Sequence, residues 1–147
     1  MSSPIEAATP GSRVPAAAFI RVPEQGAPWI EGFRCPDCGA VALERTMACR
    51  KCTSRAPQAS FTAATQGRLY AWTVVRRSYP GIPVPFVSAI VDLDDGLTVK
   101  GTLRDVDPDA VKSGMRVELK FDDANGATDP QGCSYVGFHF IPAGESA

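Results

Sequence analysis

Four of the chain's five cysteines fall in two C-x2-C pairs, Cys35 with Cys38 and Cys49 with Cys52, ten residues apart. In a reducing compartment that spacing is a metal pattern rather than a disulfide framework. A C-x2-C turn aims both sulfurs at one centre. Gly39, directly after the first pair, lets its turn close and frees backbone N–H groups to face sulfur. Two such turns complete a tetrahedral shell of four thiolates. Zn²⁺ suits that shell, and iron in a rubredoxin-like site is its competitor. A redox C-x-x-C would be a single pair beside a βαβ pattern, which this chain lacks. Four thiolates fill every coordination position and leave none for water or substrate. The expected role is structural: the ion replaces a core that a segment of this length cannot build.

The fifth cysteine, Cys133, and the sole histidine, His139, are the other candidates for chemistry. Both sit in one strand-like run, six residues apart, which is about 20 Å at strand rise. On a single strand they cannot act as nucleophile and base. Cys133 reads as a small buried side chain. His139 alternates with Phe138 and Phe140 and should face away from them, toward solvent or an interface. No Ser–His–Asp arrangement, open metal site or Gly-rich phosphate loop is present, so no catalytic residues are assigned.

These side chains must be positioned by a mostly β chain. Of 147 residues, 44% are hydrophobic and 21% charged, an ordinary globular balance. Glycine and proline number 13 each, which argues against an all-helical fold. Residues 1–18 read as a loose tail. Residues 19–33 are interrupted by Pro23, Gly26 and Pro28, with a short helix or turn expected over 28–33. There Trp29, Ile30 and Phe33 form an apolar cluster for docking on a partner or packing on the chain itself. Strands are expected at 67–77, 87–93, 97–103, 115–121 and 134–141. Asp94-Asp95-Gly96 makes a hairpin of the second and third, and 107–114 reads as a helical turn or compact loop. Tyr70, Trp72 and Val74 share one face of the first strand and are expected in the core. Met115, Val117, Leu119 and Phe121 do the same on the fourth. Five strands with a short helical insert before the fourth predict a Greek-key barrel of the OB type. The division is a tail and docking segment at 1–33, a zinc ribbon at 34–56, a barrel at 57–142 and a tail at 143–147.

Charge is uneven although the net is −1. Residues 44–77 hold seven Lys or Arg against Glu44 alone, while residues 78–147 hold five against eleven acids. The basic stretch neutralises a dianionic metal–thiolate centre, or it meets phosphates or an acidic partner. Arg76 and Arg77 lead into the proline-stiffened loop 78–86, with Tyr79, Pro85 and Phe86. In OB folds the loop between strands one and two is a ligand face. No apolar run approaches the ~18–20 residues of a membrane span. The first residues lack the pattern of a secretory signal, so a cytoplasmic location is expected.

A four-cysteine ribbon followed by such a barrel resembles the zinc-ribbon/OB-fold acyl-CoA-associated proteins, a domain long classed as of unknown function. The resemblance covers roughly residues 30–142. It rests on Phe33-Arg34-Cys35-Pro36-Asp37-Cys38-Gly39, Cys49-Arg50-Lys51-Cys52, Gly67-Arg68-Leu69-Tyr70-Ala71-Trp72, Val84-Pro85-Phe86, Val91-Asp92-Leu93-Asp94-Asp95-Gly96 and Gly114-Met115-Arg116-Val117. It implies a non-catalytic subunit of a hetero-oligomer. The partner would be a thiolase-like large subunit that makes or breaks a C–C bond on a CoA thioester, of which the benzoylsuccinyl-CoA thiolase type is one form. It further implies zinc on Cys35, Cys38, Cys49 and Cys52, and a CoA or partner face at Arg76, Arg77, Tyr79, Pro85 and Phe86. The family usually has two longer helices ahead of the ribbon; Pro23, Gly26 and Pro28 interrupt that stretch here.

Two other classes compete. Ribbons and OB barrels also bind single-stranded nucleic acid, with aromatic stacking that Tyr70 and Trp72 could supply; the acidic second half opposes it. An iron-loaded four-thiolate site would make the chain an electron carrier.

Overall fold

A computed structural model describes residues 13–143, so parts of both expected tails, residues 1–12 and 144–147, lie outside the described residues. Among the described residues ten strands form two sheets, joined in part through two 3-10 turns. The barrel uses β6 (Gln66–Val75), β7 (Phe86–Leu93), β8 (Thr98–Leu103), β9 (Arg116–Asp122) and β10 (Ser134–Pro142). β6, β7 and β8 run as a meander through antiparallel pairs. The chain then crosses over by way of a 3-10 turn, Pro108–Ala110, capped by Asp107, whose side chain accepts from the Asp109 N–H. β9 pairs with both β6 and β10, and β10 meets β8 in parallel at Phe140 and Leu103, which closes the ring. This is the expected five-stranded Greek key of the OB type.

Closure needs a close crossing at the start of β6. Gly67 faces Leu93 on one side and Val117 on the other. A Cβ there would sit 2.3 Å from the Asp92 carbonyl oxygen. Period-2 alternation supplies the interior: Leu69, Val87, Ala89, Val91, Val99, Leu103, Val117, Leu119 and Phe140 are buried together. Met115 and Phe121 pack against that core, as the alternation of the fourth strand required.

The second sheet is built on β3 (Trp29–Arg34), flanked by β2 (Ile20–Arg21), β4 (Val41–Ala42) and β5 (Ala59–Thr62). The short helix or turn expected over 28–33 is therefore a strand. Pro28 stands outside it, and the six residues after Pro28 are claimed by three partner strands, a tertiary pull that local propensity does not record. Ile20 and Ile30 join the same hydrophobic cluster as the barrel interior.

Two further expectations change. Residues 13–15, read as tail, form β1 (Arg13–Pro15), parallel to Ser134–Val136 at the part of β10 that β9 leaves uncovered. Pro15 is tolerated because it sits on an edge. Tyr70 does not share the core face with Trp72 and Val74. The β6–β7 register shifts between Leu69 and Ala71, so Tyr70 is an inserted residue that the bulge turns outward. It is 65% exposed, whereas Trp72 and Val74 pack against the core.

Candidate metal centre and surrounding surfaces

The strand β3 delivers Cys35 directly after Arg34, and β4 turns the chain back toward the second pair. The Sγ atoms of Cys35, Cys38, Cys49 and Cys52 lie within 4.8 Å of one another. Cys35 Sγ is 3.7 Å from Cys52 Sγ, and Cys38 Sγ is 3.6 Å from Cys49 Sγ. Cys35 and Cys49 are buried; Cys38 and Cys52 are nearer the surface.

The two turns are built alike. Gly39 N–H donates to the Cys35 carbonyl and Thr53 N–H to the Cys49 carbonyl, each at 2.9 Å. Cys35 N–H reaches the Ala40 carbonyl at 2.9 Å, and Cys49 N–H the Ser54 carbonyl at 2.8 Å. The residue closing each turn is left-handed: Gly39 at φ 79° and Thr53 at φ 63°. Glycine takes that conformation freely; threonine takes it at a cost that the rest of the turn must cover. The Ser54 hydroxyl also bonds the Asp37 carboxylate, linking the two turns.

Sulfur is prepared as an anion by backbone dipoles. The N–H groups of Lys51 and Cys52 point at Cys49 Sγ at 3.3 and 3.5 Å. The Cys52 and Lys51 amides hold the Cys49 thiol down at about 6. The Cys52 thiol stands at about 12: the Ser54 amide draws it down, but burial and the three neighbouring cysteines outweigh that pull. Four thiols this close cannot all ionise together without a cation. The donor set, the spacing and the N–H bonds to sulfur fit one metal ion. Arg34 lies over the Phe61 ring at 4.9 Å and Arg45 over the Phe33 ring at 4.8 Å.

Of the other residues singled out in the sequence, Phe33 lines the same cavity as Cys35 and Cys49, and the rest stand elsewhere. Ile30 and Phe33 are buried within their own chain, and Trp29 is left 37% exposed. Arg76, Arg77 and Tyr79 are exposed in the loop between β6 and β7. Pro85 and Phe86 line a groove of about 430 Å³ with Ile82, Leu103, Arg104 and Val106. Cys133 is fully buried. Its N–H donates to Asp129 Oδ1 at 2.8 Å.

His139, expected toward solvent or an interface, is instead held against its own chain. Its Nδ1 is 2.6 Å from Asp122 Oδ2, with side chains only 14% and 13% exposed. Asp122 Oδ1 also accepts from the Ala124 N–H at 2.8 Å, and Arg104 approaches at 4.0 Å. Alternation placed His139 on the outer face correctly. It could not show that Asp122, two residues along β9 from Lys120, the cross-strand partner of His139, lays its carboxylate over that face.

Residues 62–122 match the family model described as the ChsH2 C-terminal OB-fold domain. A DUF35 domain-containing scaffold protein of Methanothermobacter thermautotrophicus is 28% identical over 115 residues, 77% of this chain and 86% of the relative. The benzoylsuccinyl-CoA thiolase subunit BbsA of Geobacter metallireducens is 28% identical over 102 residues, 69% of this chain and 68% of the relative. Among solved structures, the Ltp2-ChsH2(DUF35) aldolase superposes with a TM-score of 0.64 at 26% identity, covering 79% of this chain and 86% of that one. The resemblance carried by the cysteine pairs and the strand order holds, and the chain is similar to DUF35 domain-containing scaffold proteins.

Proposed function

We propose that the chain is a zinc-holding, non-catalytic subunit of a complex acting on acyl-CoA, with a thiolase-like enzyme as its partner. The observation that carries the reading is a closed four-sulfur centre joined to a barrel whose likeness extends over most of the chain to an aldolase containing ChsH2(DUF35). Likeness to a thiolase subunit supports the same class of partner. Zinc is the ion of choice because four thiolates in a tetrahedral shell suit it and the site offers no open position. When bound, the ion supplies cross-linking of the two turns, not Lewis-acid chemistry.

Cleaving or forming a C–C bond next to a thioester needs an activated thiolate with acid and base groups around it. Four cysteines are committed to the metal shell, and the fifth is sealed in the interior. The nucleophile therefore belongs to the partner. This chain's contribution is a surface. Arg76 and Arg77 offer guanidinium groups to the phosphates of CoA. Tyr79, Pro85 and Phe86, with the groove beside them, offer an apolar wall for its pantetheine arm or for the partner. Trp29 offers a second apolar contact at the edge of the ribbon sheet.

The test is affinity capture of the tagged chain from its own cells, with co-purifying proteins identified by mass spectrometry. A stoichiometric thiolase-like protein is expected, and its loss from the Arg76→Glu/Arg77→Glu variant would assign the loop to the interface. Recovery of nucleic acid or ribosomal proteins without such an enzyme would overturn the reading.

A further inference from the structure

The second cysteine pair has no strand to hold it. Residues 43–58 run between β4 and β5 without entering either sheet. The first pair follows β3 directly, so its position is set by the ladder; the second must be fixed in another way. The Ser54–Asp37 bond ties the turns together at the surface, and one buried side chain holds the segment ahead of Cys49. Gln58, 8% exposed, is the buried polar residue among those described. Its Oε1 accepts from the Thr46 N–H at 2.9 Å, and its Nε2 donates to Thr46 Oγ1 at 3.2 Å. Thr46 Oγ1 in turn donates to the carbonyl of Ala48 at 2.7 Å, the residue immediately before Cys49.

Gln58 also sits at a decisive place in the register. It immediately precedes Ala59, and Ala59 is paired with Arg34, the residue before Cys35. The β3–β5 ladder thus brings the backbone of residue 58 alongside the first cysteine turn. The amide of Gln58 then reaches forward to the segment carrying the second. We infer that Gln58 is the positioning residue of the metal centre: it sets the separation of the two cysteine turns, so the four sulfurs stand near coordination geometry before an ion arrives. The inference rests on the cysteines holding a metal, whichever ion that is. Gln58 touches neither sulfur nor ion and acts through Thr46 and Ala48. Its amide is required because the Thr46 N–H needs an acceptor while the Thr46 hydroxyl, already donating to Ala48, needs a donor. Only an amide side chain of that length provides both.

The test uses the full zinc-loaded chain and follows release of zinc to a chromogenic chelator, with the cobalt-substituted absorption spectrum as a second readout. Gln58→Ala is expected to release zinc roughly tenfold faster or more, the range found when outer partners of metal ligands are lost. Gln58→Glu keeps the acceptor for Thr46 N–H but loses the donor, and should fall between the two. Thr46→Val, which removes only the hydroxyl, should also fall between them. Cobalt spectra should keep their tetrahedral thiolate bands at saturation, with weaker cobalt affinity in Gln58→Ala. Equal release rates in Gln58→Ala and the parent chain would overturn the clasp and leave the metal centre standing. A parent chain that takes up neither zinc nor cobalt would overturn the metal centre itself.

Discussion

The cysteine turns separate two tasks that one residue type performs at different positions. Cys49 receives two backbone N–H bonds on sulfur, whereas Cys133 is fully buried and lies outside the four-cysteine cluster. Replacing Cys49 with serine should abolish stoichiometric zinc, measured by elemental analysis, while Cys133→Ser should leave zinc content unchanged. A different side chain governs behaviour toward acid. Arg116 forms a two-pronged ion pair with Asp94, at 2.8 and 2.9 Å, and holds that carboxyl below the usual carboxylate range. A carboxyl lowered on folding contributes stability in full above its unfolded value of about 3.9 and loses it as pH falls through the lowered folded value. The difference in melting temperature between the parent chain and Asp94→Asn should therefore be constant from pH 7 to about 5, then shrink as pH falls below the unfolded value of about 3.9. A gap that widens in acid would contradict the pairing. The gathering of Cys35, Cys38, Cys49 and Cys52 into one cluster was legible in the sequence because it is written in their spacing. The Asp122–His139 contact was not, because it is a diagonal contact between β9 and β10 that depends on how those two strands register.

At the level of strands, the close crossing at Gly67 and the bulge at Tyr70 shape β6 within a few residues of each other. Gly67→Ala would push a methyl group into the Asp92 backbone, which cannot move aside as a flexible side chain would. A loss of about 1–3 kcal/mol in a denaturant titration is expected, the usual cost of overpacking. The bulge predicts a contrast two residues apart. Tyr70→Ala should change stability by under ~0.5 kcal/mol, as surface substitutions do. Trp72→Ala should cost about 3 kcal/mol, since it empties part of the packed interior. Similar losses at both positions would mean that β6 runs without the bulge. Strands β7 to β10 were readable because alternation and turn residues mark them with little competition. β3 was not, because three prolines and glycines near it suggest interruption, while the force that extends it comes from β2, β4 and β5, distant in sequence. The bulge also escaped, since an inserted residue leaves composition untouched and merely shifts the phase of the pattern.

For the whole molecule, the ribbon sheet and the barrel share one interior, with Ile20 and Ile30 packed into the same cluster as Val91 and Leu119. The metal centre hangs from one end of β3, and the other end is anchored in that interior. Such an arrangement suits a rigid spacer that presents surfaces to a larger enzyme, with the ion stiffening the part that a small core cannot reach. Fold class was legible as a whole because strand order follows from the turn signals and the crossover. A docking role is not written in periodicity: exposed loops such as 76–86 carry no periodic pattern, and an apolar cluster such as Trp29, Ile30 and Phe33 reads the same whether it packs inward or outward. The central claim is a zinc-bearing chain in complex with a thiolase-like enzyme. It is tested most directly by native mass spectrometry of the assembly captured from the protein's own cells. The account predicts a hetero-oligomer whose mass resolves into a thiolase-like subunit and copies of this chain, each heavier than its sequence by one zinc ion. A chain recovered alone, or one carrying iron and no partner, would contradict it.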